Sequence, residues 1–232
     1  MKSNKLMWAV STRADGNMSI SWGQKAEVEE NGKRFLNKYN IDYSRCVMAS
    51  LLGGTDIQIV SNKESNQYVE CDSLITTEIN LPLMMVVADC HPAIVYDPNK
   101  NILSLVHLGR QGVDGLLPEI VVGKFKDMGS EVNNIQVIVG PGIKKESYEW
   151  TGDLPFQKEK WQGFFTELGG NKYLIDSLGF LKEQFLRKGV LSKNMIVDET
   201  DVVKNPNYFS HVRSFRTGES EGRFAMIAMM RA

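Results

Sequence analysis

Three consecutive stretches decide the fold: Leu81-Pro82-Leu83-Met84-Met85-Val86-Val87-Ala88, then Asp89-Cys90-His91-Pro92, then Ala93-Ile94-Val95-Tyr96-Asp97-Pro98. Near-continuous apolar runs of this length, bounded by turn residues, are the pattern of strands covered on both faces. The segment from Asp97 to Asn101 bends the chain, and Ile102 to Val106 returns as a further strand that ends at His107-Leu108-Gly109. If the two strands flanking that turn lie side by side, Cys90 and His107 emerge at one end of the pair, where a thiolate and an imidazole could meet or share a metal.

Towards the N-terminus, Trp8 to Val10 reads as a strand and Ala14 to Asn17 as a turn, and Ala26 to Tyr39 has helical spacing through Val28, Phe35 and Leu36. Cys46 to Leu52 and Ile57 to Ser61 read as short strands around Gly53-Gly54-Thr55-Asp56, followed by a short element over Asp72 to Thr77. Towards the C-terminus, Gly112 to Met128 and Tyr173 to Lys188 are expected to be helices. Ile135 to Val139, Met195 to Val197 and Arg223 to Met230 are expected strands, and Val202 to Arg216 reads as polar and irregular. Without a repeat, linker or low-complexity segment, the expected fold is a single mixed α/β domain over residues 1–232.

Composition narrows the function classes. With 42% hydrophobic and 24% charged residues the chain has the balance of a globular protein, and its 232 residues suit one core. A net charge of -1, without a Lys/Arg block, gives no general attraction for nucleic acid, which leaves a small molecule as the expected partner. Cys46, Cys71 and Cys90 are odd in number and widely spaced, as free thiols of a reducing cytosol are. The apolar run Leu6 to Val10 is too short for a signal peptide or a membrane span, so a cytoplasmic location is expected.

Phosphate-loop, dinucleotide-glycine, His-Glu-x-x-His and paired Cys-x-x-Cys motifs are all absent. The chemistry-bearing residues left are Cys90, His107 and the neighbouring Asp89. Cys90 can equally be a small core hydrophobe, and His107 a residue satisfied by the backbone. Asp72, Asp89 and Asp97 each read as turn or strand-end caps, with Asp89 nearest the candidate site. Arg213, Arg216 and Arg223 suit bidentate anion binding, or form a solvated surface run.

In order and spacing these segments resemble the YfiH-like or laccase-domain family, once called multicopper polyphenol oxidases. The central motif stands as Ala88-Asp89-Cys90-His91-Pro92, Tyr96-Asp97-Pro98 and His107-Leu108-Gly109-Arg110-Gln111-Gly112. The likeness continues in Asn31-Gly32-Lys33-Arg34, Asp72-Ser73-Leu74-Ile75-Thr76, Gly140-Pro141-Gly142-Ile143, Tyr148-Glu149, Phe209-Ser210-His211-Val212-Arg213 and Gly222-Arg223. The resemblance implies sheets sandwiched between helices, as in the Rho-deamidating domain of cytotoxic necrotizing factor toxins. It also implies purine nucleoside phosphorylase activity with phosphate, adenosine deaminase activity, and a zinc held by two His and one Cys.

The chain departs from the family pattern at the metal. The family's Gln-Val-His-Gly segment matches Leu51-Leu52-Gly53-Gly54, so Gly53 stands at the third ligand position and leaves Cys90 and His107 as ligands. Catalytic zinc takes three protein ligands, so zinc is expected to be weak or absent here. His91 and Cys46 are awkward replacements, and His211 could approach only through tertiary folding. The family's Trp-Arg pair is Arg110-Gln111 here, and Arg110, Arg213 and Arg216 are the candidate substrate-binding residues. Three readings stay open: a purine-nucleoside phosphorylase or deaminase, a metal-free Cys-His hydrolase, and a non-catalytic binding relative.

Overall fold

The computed structural model describes residues 5–232; residues 1–4, where the stretch read against a leader peptide begins, lie outside the described residues. In chain order the strands are β1 (Leu6–Val10), β2 (Val47–Ser50), β3 (Ile57–Ile59), β4 (Gln67–Glu70), β5 (Ser73–Thr76), β6 (Leu83–Val87) and β7 (His91–Asp97). They continue with β8 (Ile102–Leu108), β9 (Gln136–Val139), β10 (Glu149–Thr151), β11 (Phe165–Gly169), β12 (Lys172–Ile175), β13 (Met195–Val197) and β14 (Phe224–Met230). The helices are α1 (Lys25–Asn37), α2 (Arg110–Asp114), α3 (Leu117–Asp127), α4 (Ser177–Arg187) and α5 (His211–Thr217).

Two sheets face each other, one in the order β1-β14-β6-β2-β4 and the other β13-β9-β7-β8-β5-β3, and a small third sheet runs β10-β12-β11. Strand alternation explains the layering. On β7, Ile94 and Tyr96 join the core between the two large sheets, while Ala93 and Val95 face the helices α3 and α4. Phe35 and Leu36 of α1 cover the outer face of the first sheet. The result is the expected mixed α/β sandwich of sheets between helices. Each fully buried core side chain of this kind contributes about 1.5–3 kcal/mol of apolar burial.

The helix expected over 112–128 is instead two helices. Leu116 takes the left-handed conformation (φ 64°) between α2 and α3, and Pro118 starts the new helix in its first turn, where a missing N–H costs nothing. Continuous apolar spacing masked the break. The helix expected over 173–188 begins as strand β12, because Asp176 caps α4 by accepting from the Gly179 amide at 2.7 Å. The polar segment 202–216 ends in α5, capped by Ser210, whose hydroxyl accepts from Arg213 N, and the helix runs one residue further. Among the described residues no helix is long and apolar enough to cross a membrane.

Candidate active site

The β7–β8 hairpin sets the site. Its antiparallel register pairs Pro92 with His107 and His91 with Leu108, so Cys90, just before β7, stands beside the end of β8. The residue after the hairpin must be small. A Cβ on Gly109 would lie 2.8 Å from His107 Cε1, 3.0 Å from its Nε2 and 3.3 Å from Cys90 Sγ. The imidazole and the sulfur therefore share one small volume, and Cys90 is among the groups that push the His107 pKa up.

Behind the histidine stands Asp72, fully buried, which sequence reasoning had placed only as a cap. β5 pairs with β8 so that Ser73 lies opposite Val106, which sets Asp72 against the end of β8. His107 Nδ1–H donates to Asp72 Oδ1 at 3.1 Å, fixing Nδ1 as the protonated nitrogen and leaving Nε2 for the sulfur side. Gly53 and Gly54 donate their amides to Oδ1 and Oδ2 at 2.8 and 2.7 Å. Burial alone would raise the Asp72 pKa, but His107 and the two amides outweigh it and hold the carboxyl below its usual value. Burial would likewise depress the His107 pKa, and Cys90 and Asp72 reverse this, raising it to about 9.

A cleft of about 400 Å³ opens at Cys90, with Leu108, Arg110, Tyr148, Trp150 and His211 among its walls. Cys90 lines it. His107, 8% exposed, backs the sulfur and is not part of the wall.

The other sequence candidates separate. Arg110 lines the cleft, with its guanidinium 5.4 Å from the centre of the Trp150 ring and donating to the Pro155 carbonyl at 3.3 Å. Asp89 also borders the cleft but turns its carboxylate towards α5, where Oδ2 accepts from Val212 N at 2.8 Å. Its carboxylate thus clamps the start of α5 to the turn before Cys90. Arg213 is spent on structure, donating to the carbonyls of Val202, Val203, Asn205 and Tyr208 and to Glu219. Arg216 is exposed and donates to Ser147 O at 3.3 Å. Neither arginine lines the cleft.

The donor set does not fit the implied zinc. Gly53, which the motif match sets against the family's third ligand, has no side-chain donor, and its hypothetical Cβ would lie 3.1 Å from Gln111 Oε1. His91 faces away from Cys90, with its ring nitrogens 3.3 and 3.1 Å from the carbonyls of Gly140 and Ile143. Among the described residues no three His, Cys, Asp or Glu side chains converge on a metal position.

Comparison with known proteins fits this geometry to a family. The chain is 26% identical over 206 residues to a purine nucleoside phosphorylase of Mycobacterium tuberculosis, covering 88% of this chain and 80% of the relative. It is 28% identical over 176 residues to a purine nucleoside phosphorylase of Rickettsia prowazekii, covering 69% and 72%. The fold matches the hypothetical protein YfiH of Bacillus licheniformis with a TM-score of 0.88 at 19% identity, over 97% of this chain and 93% of that one. YlmD from Geobacillus stearothermophilus superposes with a TM-score of 0.87 at 21% identity, over 99% and 93%. The family model described as multi-copper polyphenol oxidoreductase laccase matches residues 9–231. That match over nearly the whole chain, on a fold shared with YfiH, places this chain in the laccase-like, YfiH-type family.

Proposed function

We propose that this chain is an enzyme acting on purine nucleosides, with Cys90 as nucleophile, His107 as the base that ionises the thiol and Asp72 as the residue that positions His107. The observation that carries this reading is the contact chain Asp72–His107–Cys90, which ends at a sulfur lining a cleft. The names of the relatives support the substrate class. A cleft of about 400 Å³ is in the range of small-ligand sites, and Tyr148 and Trp150 offer ring faces to a planar base.

The reaction this arrangement suits is hydrolytic deamination at purine C6. The thiolate adds to C6, the C–N bond breaks, and the amino group takes up a proton and leaves as ammonia. Water then attacks C6, the C–S bond breaks and the thiol is restored, so that adenosine and water become inosine and ammonia. Phosphorolysis is a second reading, favoured by the relatives' names and by Arg110, a cleft cation with no ion-pair partner among the described residues. In that case phosphate attacks ribose C1′ and the purine departs. The free thiols Cys46, Cys71 and Cys90 support placing either reaction in the cytoplasm.

Incubation with adenosine or inosine, with and without phosphate, followed by chromatography of the products, tests this. Inosine formed from adenosine without phosphate supports deamination, and phosphate-dependent release of free base establishes the second reading. Cys90→Ala should remain folded and lose turnover. A fully active Cys90→Ala protein, or a wild type inert under all these conditions, refutes the proposal, the latter in favour of a non-catalytic binding relative.

A further inference from the structure

His107 can take the proton of Cys90, but it stands behind the sulfur and does not reach a molecule in the cleft. Substitution at a carbon held against Cys90 still needs a proton delivered to a basic leaving group and one removed from the attacking water. Few wall residues can carry it. Arg110 and Arg223 hold their protons too tightly, and burial pushes the Tyr148 phenol up to about 12. Glu149 pairs with Lys172 at 3.7 Å. Asp89 has Oδ2 on the Val212 amide and Oδ1 shut off from solvent. His211 remains.

The structure holds His211 as a working imidazole would be held. Its Nδ1–H donates to Glu221 Oε1 at 2.5 Å, which leaves the Nε2 lone pair free of that bond. Glu221 is fixed in turn by Arg223 at 2.9 Å, and the Arg223 guanidinium lies over the Trp22 ring at 4.8 Å. Asp89 sets the spacing across the cleft. It directly precedes Cys90, and it binds the amide of Val212, which directly follows His211. One carboxylate therefore ties the nucleophile's turn to the first turn of α5.

We propose that His211 is the proton carrier on the substrate side of the cleft, with Glu221 and Asp89 as its positioning residues, an inference that rests on the thiol reading above. In the first half-reaction protonated His211 gives its Nε2 proton to the departing amine as the C–S bond forms and the C–N bond breaks. In the second, neutral His211 takes a proton from water as the C–O bond forms, the C–S bond breaks and the electron pair returns to sulfur. His107 serves only the thiol.

The test compares wild type with His211→Gln, using adenosine and 6-chloropurine riboside, whose chloride leaves without a proton. The exposed His211 side chain makes the variant's folding undemanding, and an unchanged melting temperature confirms it. Expected is a loss in adenosine turnover of about 100-fold or more. Intact-protein mass spectrometry should show 6-chloropurine riboside labelling Cys90 at the wild-type rate, with the adduct then persisting instead of being hydrolysed. Alkylation of Cys90 by iodoacetamide should be unchanged in His211→Gln and slowed in His107→Gln, and Glu221→Gln should give a smaller loss of turnover than His211→Gln. Wild-type turnover in His211→Gln, or wild-type hydrolysis of its adduct, overturns the proposal. So does slowed alkylation in that variant, which would put His211 on the thiol. A wild type that neither turns over adenosine nor is labelled overturns the thiol reading itself, and this inference with it.

Discussion

Asp72→Asn removes a charge without changing shape, and the geometry says what that costs. Oδ1 accepts from Gly53 N and His107 Nδ1, and Oδ2 from Gly54 N. An amide has one acceptor oxygen, so its NH2 must confront at least one donor inside a fully buried site. Losing a charge-assisted bond costs about 1.5–3 kcal/mol and stranding a buried donor about 1–3 kcal/mol, so a destabilisation of about 3–5 kcal/mol is expected. The variant should also change the pH dependence. His107 has its folded-state pKa raised from 6.5 to about 9, so its contribution is fully present below pH 6.5 and is lost as pH rises through 9. That rise corresponds to roughly 3 kcal/mol, shared between Cys90 and Asp72, and the Asp72 share disappears in the variant. Urea denaturation at about pH 6 and about pH 9 measures both effects as a lower midpoint and a shallower alkaline decline. Unchanged stability together with an unchanged alkaline decline would refute the claim that Asp72 holds the histidine.

Arg213→Ala should destabilise by about 2–4 kcal/mol in chemical denaturation, since one guanidinium serves four carbonyls and Glu219, while KM of the folded enzyme stays constant. A stable variant with a raised KM would make Arg213 a ligand-binding residue instead. Elemental analysis after chelator dialysis should find well under one zinc per chain, and Gly53→His should raise that content at a stability cost of about 1–2 kcal/mol for a side chain at φ 79°. Stoichiometric zinc retained by the wild type would show that an unrecognised donor completes the site. Asp15→Asn should flatten the acid limb of the stability profile. Burial raises the Asp15 pKa, but Lys38 and Thr12 outweigh it, so its contribution is present above 3.8 and fades as pH falls through the lower folded value. Melting temperatures that diverge from wild type equally at all acidic pH values would contradict this.

The legible parts of the chain are those where local pattern and burial agree. β7 and β8 are covered on both faces, so their apolar runs announce them, and the turn between them already suggests that Cys90 and His107 meet. The three-stranded sheet was not legible, because β10, β11 and β12 carry Glu149, Glu167 and Lys172 on exposed positions and have no buried run. Asp72 was visible as a residue but not as a partner of His107, since that depends on how β5 registers against β8. A carboxylate at a strand end, on the same end of the sheet as a candidate histidine, was the available clue. His211 lay in a segment whose polarity hid a short capped helix, and only tertiary packing brings it to the cleft.

The β7–β8 hairpin also limits how the chain can vary in length. Counting back from the Asp97–Ile102 pair, the fifth further residue pair is Pro92–His107, a span of roughly 17 Å along the strands. A residue gained or lost inside β8 would exchange the two faces of everything beyond it, sending His107 to the helix side, and one inside β7 would do the same to the end that carries Cys90. One added among Asn99, Lys100 and Asn101 can be absorbed by the bend. Descendants of this chain are therefore free to alter the site by exchanging side chains and to lengthen the distal bend, while insertions within the two strands carry the loss of the site.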